Sequence, residues 1–478
     1  MSVVVASCNL AQLLSGEVIT PTEGELITGS LAIPEYQRPY CWGESQLDKL
    51  WKDYLHYKKN HQENAWYLGS LILHKDPSGI LNIIDGQQRL TSLTLINAIL
   101  NPHQISKYVN NVSYHSPQSQ HQIRSNFKWL LKTLKQSSEP TFSATDVNFT
   151  LVVTDSEDEA YRFFETQNTG GVRLTGSDII KAHHLRSIER QQQNHYARRW
   201  EILGDLNPII NSLLRGRFCN TLHKRDVPSH RKPLLVRNAV VTEFGEMTTI
   251  GPDIAYGRSV SHRKNKHSQG RYLVEQTLEG YELRQPLNTG INTIHYLAYF
   301  QGIQNHFMSP EMDPELAITP EHQNFLQCYQ ELIIPLEGCQ YLKELLDTAL
   351  MLYISQFGEK NLTTALKKLF MVIYSPRVTN EKTVKESTLN TLLDRAPVLD
   401  WIATSYTPEM CFQWLNNYTF DIDIKNIGPD DNSVKKRFIY QVLRYFDIKV
   451  SHDAPAQSLA NEYQYTLQNK IINLSHQD

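Results

Sequence analysis

The sequence predicts an α+β protein in which a mixed N-terminal region is followed by a mainly helical one. Short apolar runs bounded by Pro, Gly and Asp, which are typical of strands, occur within the first 154 residues. From about residue 275 onward, most apolar residues recur at the spacing of amphipathic helices. With 478 residues, the chain is long enough for two or three domains.

The N-terminal elements are predicted in close succession. Residues 31–44 form a short strand and a proline-rich loop, and a helix runs from Ser45 to about Tyr57. Strands over 66–74 and 81–85 flank the turn sequence Asp-Pro-Ser-Gly, which predicts a β-hairpin. The further predicted elements are a helix from Gln87 to Leu100, a helical piece near Phe127 to Leu134, a strand over 149–154, helices opened by capping boxes at Ser156/Glu159 and Thr175/Asp178, and helices over 295–308, 320–335, 340–357, 361–374, 386–404 and 433–446.

Composition excludes several classes of protein. Hydrophobic residues make up 40% and charged residues 20%, a balance typical of globular proteins. No window is apolar over the roughly 18 residues that a membrane span needs, so we expect a cytoplasmic protein without membrane association. The six cysteines are scattered and form no Cys-x-x-Cys pair, which predicts neither a structural zinc site nor disulfides.

Residues 85–89, Asp-Gly-Gln-Gln-Arg, stand where a predicted strand ends and a predicted helix begins. The first backbone N–H groups of a helix favour an anion, and Gly86 lets a ligand approach the backbone closely. Arg89 can bind a phosphate through two N–H groups, and Gln87 and Gln88 can donate to phosphate or orient a water. Asp85 is expected to hold Mg²⁺ against the phosphate or to order Arg89. The same residues also suit an ordinary strand-end turn.

Charge is segregated along the chain. Residues 215–271 hold twelve Lys or Arg and four Asp or Glu, a local charge of +8 that leaves −11 for the remainder of a chain whose net charge is −3. Such a segment fits either a DNA phosphate backbone or a solvated surface loop. The residues proposed to contact DNA are Arg258, Arg263, Lys264, Lys266 and Arg271.

Four sequence blocks resemble the N-terminal domain of GmrSD-type, type IV restriction proteins, a domain shared by the defence protein SspE and the nuclease BrxU. The blocks are IPEYQRPYCW (33–42), YLGSLIL (67–73), IIDGQQRLTSL (83–93) and FFETQNTGGVRLTGSDIIK (163–181). The resemblance implies a ParB/sulfiredoxin-like fold and a domain over 10–190, followed by a basic, partly loop-rich segment over 191–285 and a helical C-terminal domain over 286–478.

In this family, the Asp-Gly-Gln-Gln-Arg block binds and hydrolyses a nucleoside triphosphate (NTP). The resemblance therefore implies that Asp85, Gln87, Gln88 and Arg89 are catalytic, with Asp85 also a Mg²⁺ ligand. It implies that Gly86, Tyr36, Gln37, Arg38, Thr91 and Asn168 bind the nucleotide. Arg38 has the alternatives of a DNA contact or a surface ion pair with Glu35 or Glu44, and nothing in the sequence distinguishes GTP, UTP, ATP and CTP.

One departure from the family concerns DNA cleavage. Long members carry a C-terminal His-Asn-His nuclease with an Asp-His pair, and this chain has no Asp-His dipeptide. We therefore expect an NTP-hydrolysing sensor subunit of an antiphage restriction system that recognises DNA, either modified or unmodified, and acts with a separate nuclease. The alternatives are a non-catalytic nucleotide- or DNA-binding adaptor and a nuclease with an unrecognised site. A homo-oligomer is possible.

Overall fold

The structure is a computed structural model, and it confirms the predicted α+β class. Among the described helices, none combines the length and hydropathy that a membrane-spanning segment requires. The contacts divide the chain into two compact units, Met1–Leu174 with Ile188–Ile202, and Thr175–Ser187 with Leu203–Asp478. The three-domain division stays a prediction. The structure describes residues 3–60, 65–107, 113–135, 141–157, 159–160, 163, 175–218, 227–257, 260–262, 273–275, 279–309, 312–379 and 384–473.

The first unit is built on a five-stranded mixed sheet with the strand order β1-β5-β3-β4-β2. Strands β1 and β5 are antiparallel, as are β3 and β4, whereas the pairs β3–β5 and β2–β4 are parallel. The central strand β3 is irregular, because its register against β5 shifts between Tyr67 and Ser70. The strands are β1 (Val3–Asn9), β2 (Leu31–Ala32), β3 (Trp66–Lys75), β4 (Leu81–Asp85) and β5 (Val147–Thr154).

The predicted hairpin joins β3 to β4 through a turn that Asp76 organises. Its carboxylate accepts hydrogen bonds from the backbone N–H groups of Ser78 and Ile80, both at 2.9 Å, and from Arg190 Nη2 at 2.8 Å. Burial opposes ionisation of Asp76, but the hydrogen bonds from the Ser78 hydroxyl at 2.6 Å, from Ile80 N–H and from Arg190 outweigh it and lower the pKa of Asp76 to about 2. The turn therefore fixes β3 against β4, the strand that ends at Asp85.

Helices cover the sheet and complete the first core. Core residues with less than a tenth of their surface exposed include Leu47, Trp51, Leu90, Leu93 and Leu151. The helix α3 coincides with the predicted bounds, whereas α4 is longer than the predicted piece. The helices are α1 (Leu10–Ser15), α2 (Glu44–Asn60), α3 (Gln87–Leu100), α4 (Pro117–Lys135) and, in the segment 188–202 of this unit, α6 (Arg190–Ile202).

The second unit is mainly helical and buries a core of its own along α11. This helix packs against α7, α12 and α15. Its strands form two short antiparallel pairs, β6 (Tyr256–Gly257) with β9 (Glu279–Gly280) and β7 (Val260–His262) with β8 (Leu273–Glu275). The helices are α5 (Gly176–Arg186), α7 (Asn207–Phe218), α8 (Pro233–Val241), α9 (Ile291–Phe307), α10 (Pro320–Cys328), α11 (Gln340–Phe357), α12 (Leu362–Ile373), α13 (Pro376–Thr379), α14 (Glu386–Arg395), α15 (Val398–Ala403), α16 (Pro408–Asn416), α17 (Val434–Tyr445) and α18 (Ala456–Leu467).

Most predicted C-terminal helices are present, and one prediction was wrong. The single helix predicted over 386–404 is two helices, α14 and α15, which are separated by Ala396 and Pro397. Proline has no N–H to donate to the preceding turn, and the residue before it disfavours helical backbone. The capping box at Thr175 and Asp178 is confirmed, with Asp178 N–H donating to Thr175 Oγ1 at 3.2 Å.

Candidate functional site

The candidate site lies at the junction where β4 ends and α3 begins, and Gly86 makes that junction possible. Gly86 caps α3 with a backbone φ of +95°, a left-handed conformation that side chains disfavour. A Cβ atom at this position would lie 2.0 Å from Leu71 Cδ2. No side chain caps the helix, so its first backbone N–H groups keep the partial positive charge that attracts anions.

The Arg89 side chain is largely committed to the sheet. Its Nη1 donates to Leu68 O at 2.5 Å, and its Nη2 donates to Ser70 O at 2.7 Å and to Asp85 Oδ2 at 3.3 Å. These carbonyls belong to the irregular part of β3, and Gly69 between them lets the guanidinium approach. Three of the five N–H groups are thereby used, so Arg89 supports the strand and retains two donors for a ligand.

Gln88 holds the loop that precedes α2. Its Oε1 accepts from the backbone N–H groups of Cys41 at 2.9 Å and Trp42 at 3.2 Å, and its Nε2 donates to Pro39 O at 3.1 Å. The side chain is buried, and each polar atom has a protein partner. Gln88 therefore positions the loop 36–42 against the start of α3.

Gln87 differs from Gln88 in having one polar atom left over. Its Nε2 donates to Arg38 O at 2.9 Å, which fixes the amide orientation, because a carbonyl requires a donor. Its Oε1 is buried and has no hydrogen-bond partner in the described chain. A buried acceptor without a donor is costly, so this oxygen is suited to accept from a ligand hydroxyl or a water.

Asp85 supplies the exposed negative charge of the junction. Its side chain is 30% exposed, and its one ion pair within the described residues is the 3.3 Å contact with Arg89. No group of three or more His, Cys, Asp or Glu in the described part of the chain could form a complete metal site. One carboxylate suits Mg²⁺ when substrate phosphates and waters supply the other ligands, and the residues present fit that arrangement.

Four of the remaining predicted nucleotide contacts, Tyr36, Gln37, Arg38 and Thr91, lie within the described residues. Gln37 is buried and donates from Nε2 to Ile84 O at 3.1 Å. The preceding residue, Tyr36, is also buried. Arg38 is half-buried and accepts from Gln87 through its backbone. Thr91 is buried, and its Oγ1 lies 2.8 Å from Tyr114 Oη. Asn168 and the five predicted DNA contacts, Arg258, Arg263, Lys264, Lys266 and Arg271, lie outside the described residues.

Sequence reasoning missed the polar network that holds the same loop from α4. Asn126 Nδ2 donates to Trp42 O at 2.6 Å, and Ser119 Oγ accepts from Tyr40 N–H at 2.9 Å. Tyr40 Oη lies 2.8 Å from Ser92 Oγ on α3, and burial raises the pKa of Tyr40, so its hydroxyl stays protonated at neutral pH. The burial of Asn126 and Ser119 on a helix would have indicated this network, but burial cannot be read from the sequence.

Comparison with protein families gives two matches. Residues 22–185 match the model of the GmrSD restriction endonuclease, N-terminal domain. Residues 192–429 match a family of unknown function, DUF7834. A search of curated proteins found no match. The first match contains the whole junction from β4 to α3 and the loop that packs on it.

Proposed function

We propose, from the GmrSD-type N-terminal domain that residues 22–185 match, that this chain is a component of a restriction or defence system and acts in it as the NTP-binding and hydrolysing sensor subunit. Its partners would be the DNA that it senses, either modified or unmodified, and a separate nuclease subunit. The observation that carries the proposal is the uncapped start of α3 with the partnerless Gln87 Oε1 beside it.

The backbone N–H groups at the start of α3 would bind the terminal phosphates. These N–H groups point out of the helix end along its axis, and the helix dipole makes the potential there positive. The start of a helix is therefore a common anion site in proteins. Gly86 leaves the backbone bare at this point, and the two remaining Arg89 donors would bind the same anion. Asp85 would hold Mg²⁺, which when bound neutralises phosphate charge.

Gln87 would orient the attacking water. Its Oε1 accepts a hydrogen bond from the water, whose oxygen bonds to the terminal phosphorus while the bond to the bridging oxygen breaks. Nucleoside diphosphate and inorganic phosphate leave, and the proton of the water passes through the released phosphate to solvent. The fixed Nε2 contact with Arg38 O keeps Oε1 in place without reorganisation during the reaction.

The first prediction concerns Gln87→Ala. Phosphate release by the purified chain should fall about 100-fold, the usual loss when one preorganised polar contact is removed. The melting temperature should also fall, because the change leaves Arg38 O without its donor and removes a buried side chain, so the rate is measured at a temperature at which the variant is folded. The assay is phosphate release with Mg²⁺ and each of the four NTPs, with and without DNA.

Two further variants make that assay specific. Gln118→Ala, an exposed glutamine on α4, should leave the rate unchanged. Arg89→Ala should lower the melting temperature as well as the rate, because it strips Leu68 O and Ser70 O of their donors. Equal rates for Gln87→Ala and wild type would trace the release to a contaminant and refute catalysis at this junction.

A second candidate is a non-catalytic adaptor that binds a nucleotide or DNA phosphate at the same junction. The observation that favours it is the engagement of Gln88 and most of Arg89 in protein contacts, which leaves few groups for catalysis. Nucleotide binding in equilibrium dialysis without phosphate release in the same sample would select this candidate.

A further inference from the structure

The second unit contains a buried arginine without a carboxylate partner. Arg377 is 5% exposed, and no described carboxylate lies within 4 Å of it. Its Nη2 donates to Gly338 O, and its Nε is buried without a partner in the described chain. Arginine stays protonated in proteins, so a buried guanidinium needs a compensating negative charge.

A second unsatisfied donor lies in the same place. Tyr374 is 1% exposed, and its hydroxyl has no hydrogen-bond partner within the described residues. Tyr374 and Arg377 lie one helical turn apart, and Arg377 N–H donates to Tyr374 O at 2.9 Å. Two buried donors of one short segment therefore lack an acceptor among the described residues.

The contacts of Arg377 also place its guanidinium at a helix start. Cys339 caps α11, an 18-residue helix, and makes no side-chain hydrogen bond to the helix amides. The first intrahelical bond, from Lys343 N–H to Cys339 O at 2.9 Å, leaves the N–H groups of residues 340–342 as donors at this end. The helix dipole adds positive potential there. The two acidic residues near this end of the helix are already bound. Glu344 contacts Arg215 at 3.1 Å, and Asp347 is bound by Lys343 at 2.8 Å and Tyr329 at 2.7 Å.

We propose that the second unit binds one small oxyanion, of the size of inorganic phosphate, between the start of α11, Arg377 Nε and the Tyr374 hydroxyl. The oxygens of such an ion accept from the helix N–H groups and from both orphaned donors. The near-complete burial of Arg377 and Tyr374 favours a free ion over a phosphate attached to a nucleotide or to DNA. The site goes beyond the proposed function, since it lies in the other unit of the chain.

The test is thermal unfolding of the full chain in inorganic phosphate, against sodium chloride at equal ionic strength. Phosphate should raise the melting temperature of wild type by about 3 °C at concentrations well above the dissociation constant. Arg377→Met should lose this increment, and Tyr374→Phe, which removes a single oxygen, should reduce it. Arg437→Met should keep it, because Arg437 lies on the surface and contacts Glu337 at 3.7 Å.

Two further arms separate this site from others. Gln87→Ala should keep the increment, which distinguishes the ion site from the candidate nucleotide site. Adenosine monophosphate should give no increment that depends on Arg377. The proposal is overturned if phosphate adds nothing to wild type, if Tyr374→Phe and any folded Arg377→Met show the full increment, or if adenosine monophosphate gives the Arg377-dependent increment. In the first case, water alone satisfies the two donors.

Discussion

At the scale of the residue, two adjacent glutamines have different chemistry because their partners differ. Gln88 has a protein partner at both Oε1 and Nε2, whereas Gln87 has one at Nε2 alone. The sequence presents them as equivalent, and either could be assigned to orient a water. The partners of the side-chain atoms, which depend on the loop 36–42, are what separates a positioning residue from a candidate catalytic one.

A second residue-scale contrast concerns His183 and His184 on α5. His184 is completely buried, and its Nδ1 accepts from Gly290 N–H at 3.0 Å, so its Nε2 carries the proton and donates to Phe244 O at 2.6 Å. Burial, with a smaller contribution from His183, lowers the pKa of His184 to about 3. The neutral ring is a structural bridge, consistent with the helix geometry, which prevents adjacent side chains from facing one metal.

The buried ring predicts how stability depends on pH. Below the ordinary histidine pKa of about 6.5, the unfolded chain takes up a proton at residue 184 that the folded chain excludes until about pH 3. The contribution of His184 is therefore complete above pH 6.5 and falls by about 1.4 kcal/mol per pH unit below it. Chemical unfolding of wild type and His184→Gln between pH 7.5 and 4.5 should show their difference shrinking toward low pH.

His452→Gln is the matched control for that series. His452 is exposed, and its substitution should leave a difference from wild type that stays constant within about 0.5 kcal/mol over the same range. A constant difference for His184→Gln as well would show that residue 184 titrates alike in the folded and unfolded chain, against the burial described here.

At the scale of the element, the junction between β4 and α3 depends on Gly86. Gly86→Ala should destabilise the first unit by about 2–4 kcal/mol, from the left-handed backbone and from overlap of the new methyl with Leu71. The measurement is chemical unfolding followed by tryptophan fluorescence. Five of the seven tryptophans, Trp42, Trp51, Trp66, Trp129 and Trp200, belong to this unit.

Gly79 in the β3–β4 turn provides the control for that substitution. It has a φ of +84°, but no atom lies within 4 Å of the position that a Cβ would take. Gly79→Ala should therefore cost only the backbone component, about 1 kcal/mol. If the two substitutions cost the same, contact with Leu71 does not constrain the junction.

Some of the helices and strands can be predicted from local sequence, and others cannot. The hairpin, α3 and the Thr175 cap follow from turn residues, apolar spacing and capping pairs, which act over a few residues. The parallel pairing of β3 with β5 depends on residues about 80 positions apart, and the edge strand β1 depends on pairing with β5, so neither follows from local pattern. Pro397 is a signal for a helix break, but the apolar residues on both sides of it keep helical spacing, so the sequence predicted one continuous helix.

At the scale of the whole molecule, only part of the candidate site could be predicted from the sequence. The positions of Asp85, Gly86 and the start of α3 follow from the strand-to-helix pattern. The commitment of Arg89 to Leu68 O and Ser70 O does not, because the irregularity of β3 that exposes those carbonyls is a tertiary feature. The DNA-binding prediction for the basic segment stays a prediction, since its five residues lie outside the described chain.

The two family matches fall on separate segments, 22–185 and 192–429. The first contains the candidate nucleotide site, and the second contains Arg377, Tyr374 and the start of α11. The proposed nucleotide site and the proposed ion site therefore fall in different segments of the chain. The two sites are distinguishable by substitution, because no residue belongs to both.

The most direct measurement is a crystal structure of the full chain with Mg²⁺ and a non-hydrolysable NTP. The account predicts the triphosphate at the start of α3, with Asp85 on the metal and Gln87 Oε1 accepting from a water in line with the terminal phosphorus. A nucleotide bound away from Asp85 and Gln87, with Gln87 Oε1 satisfied by an ordered water alone, would contradict it.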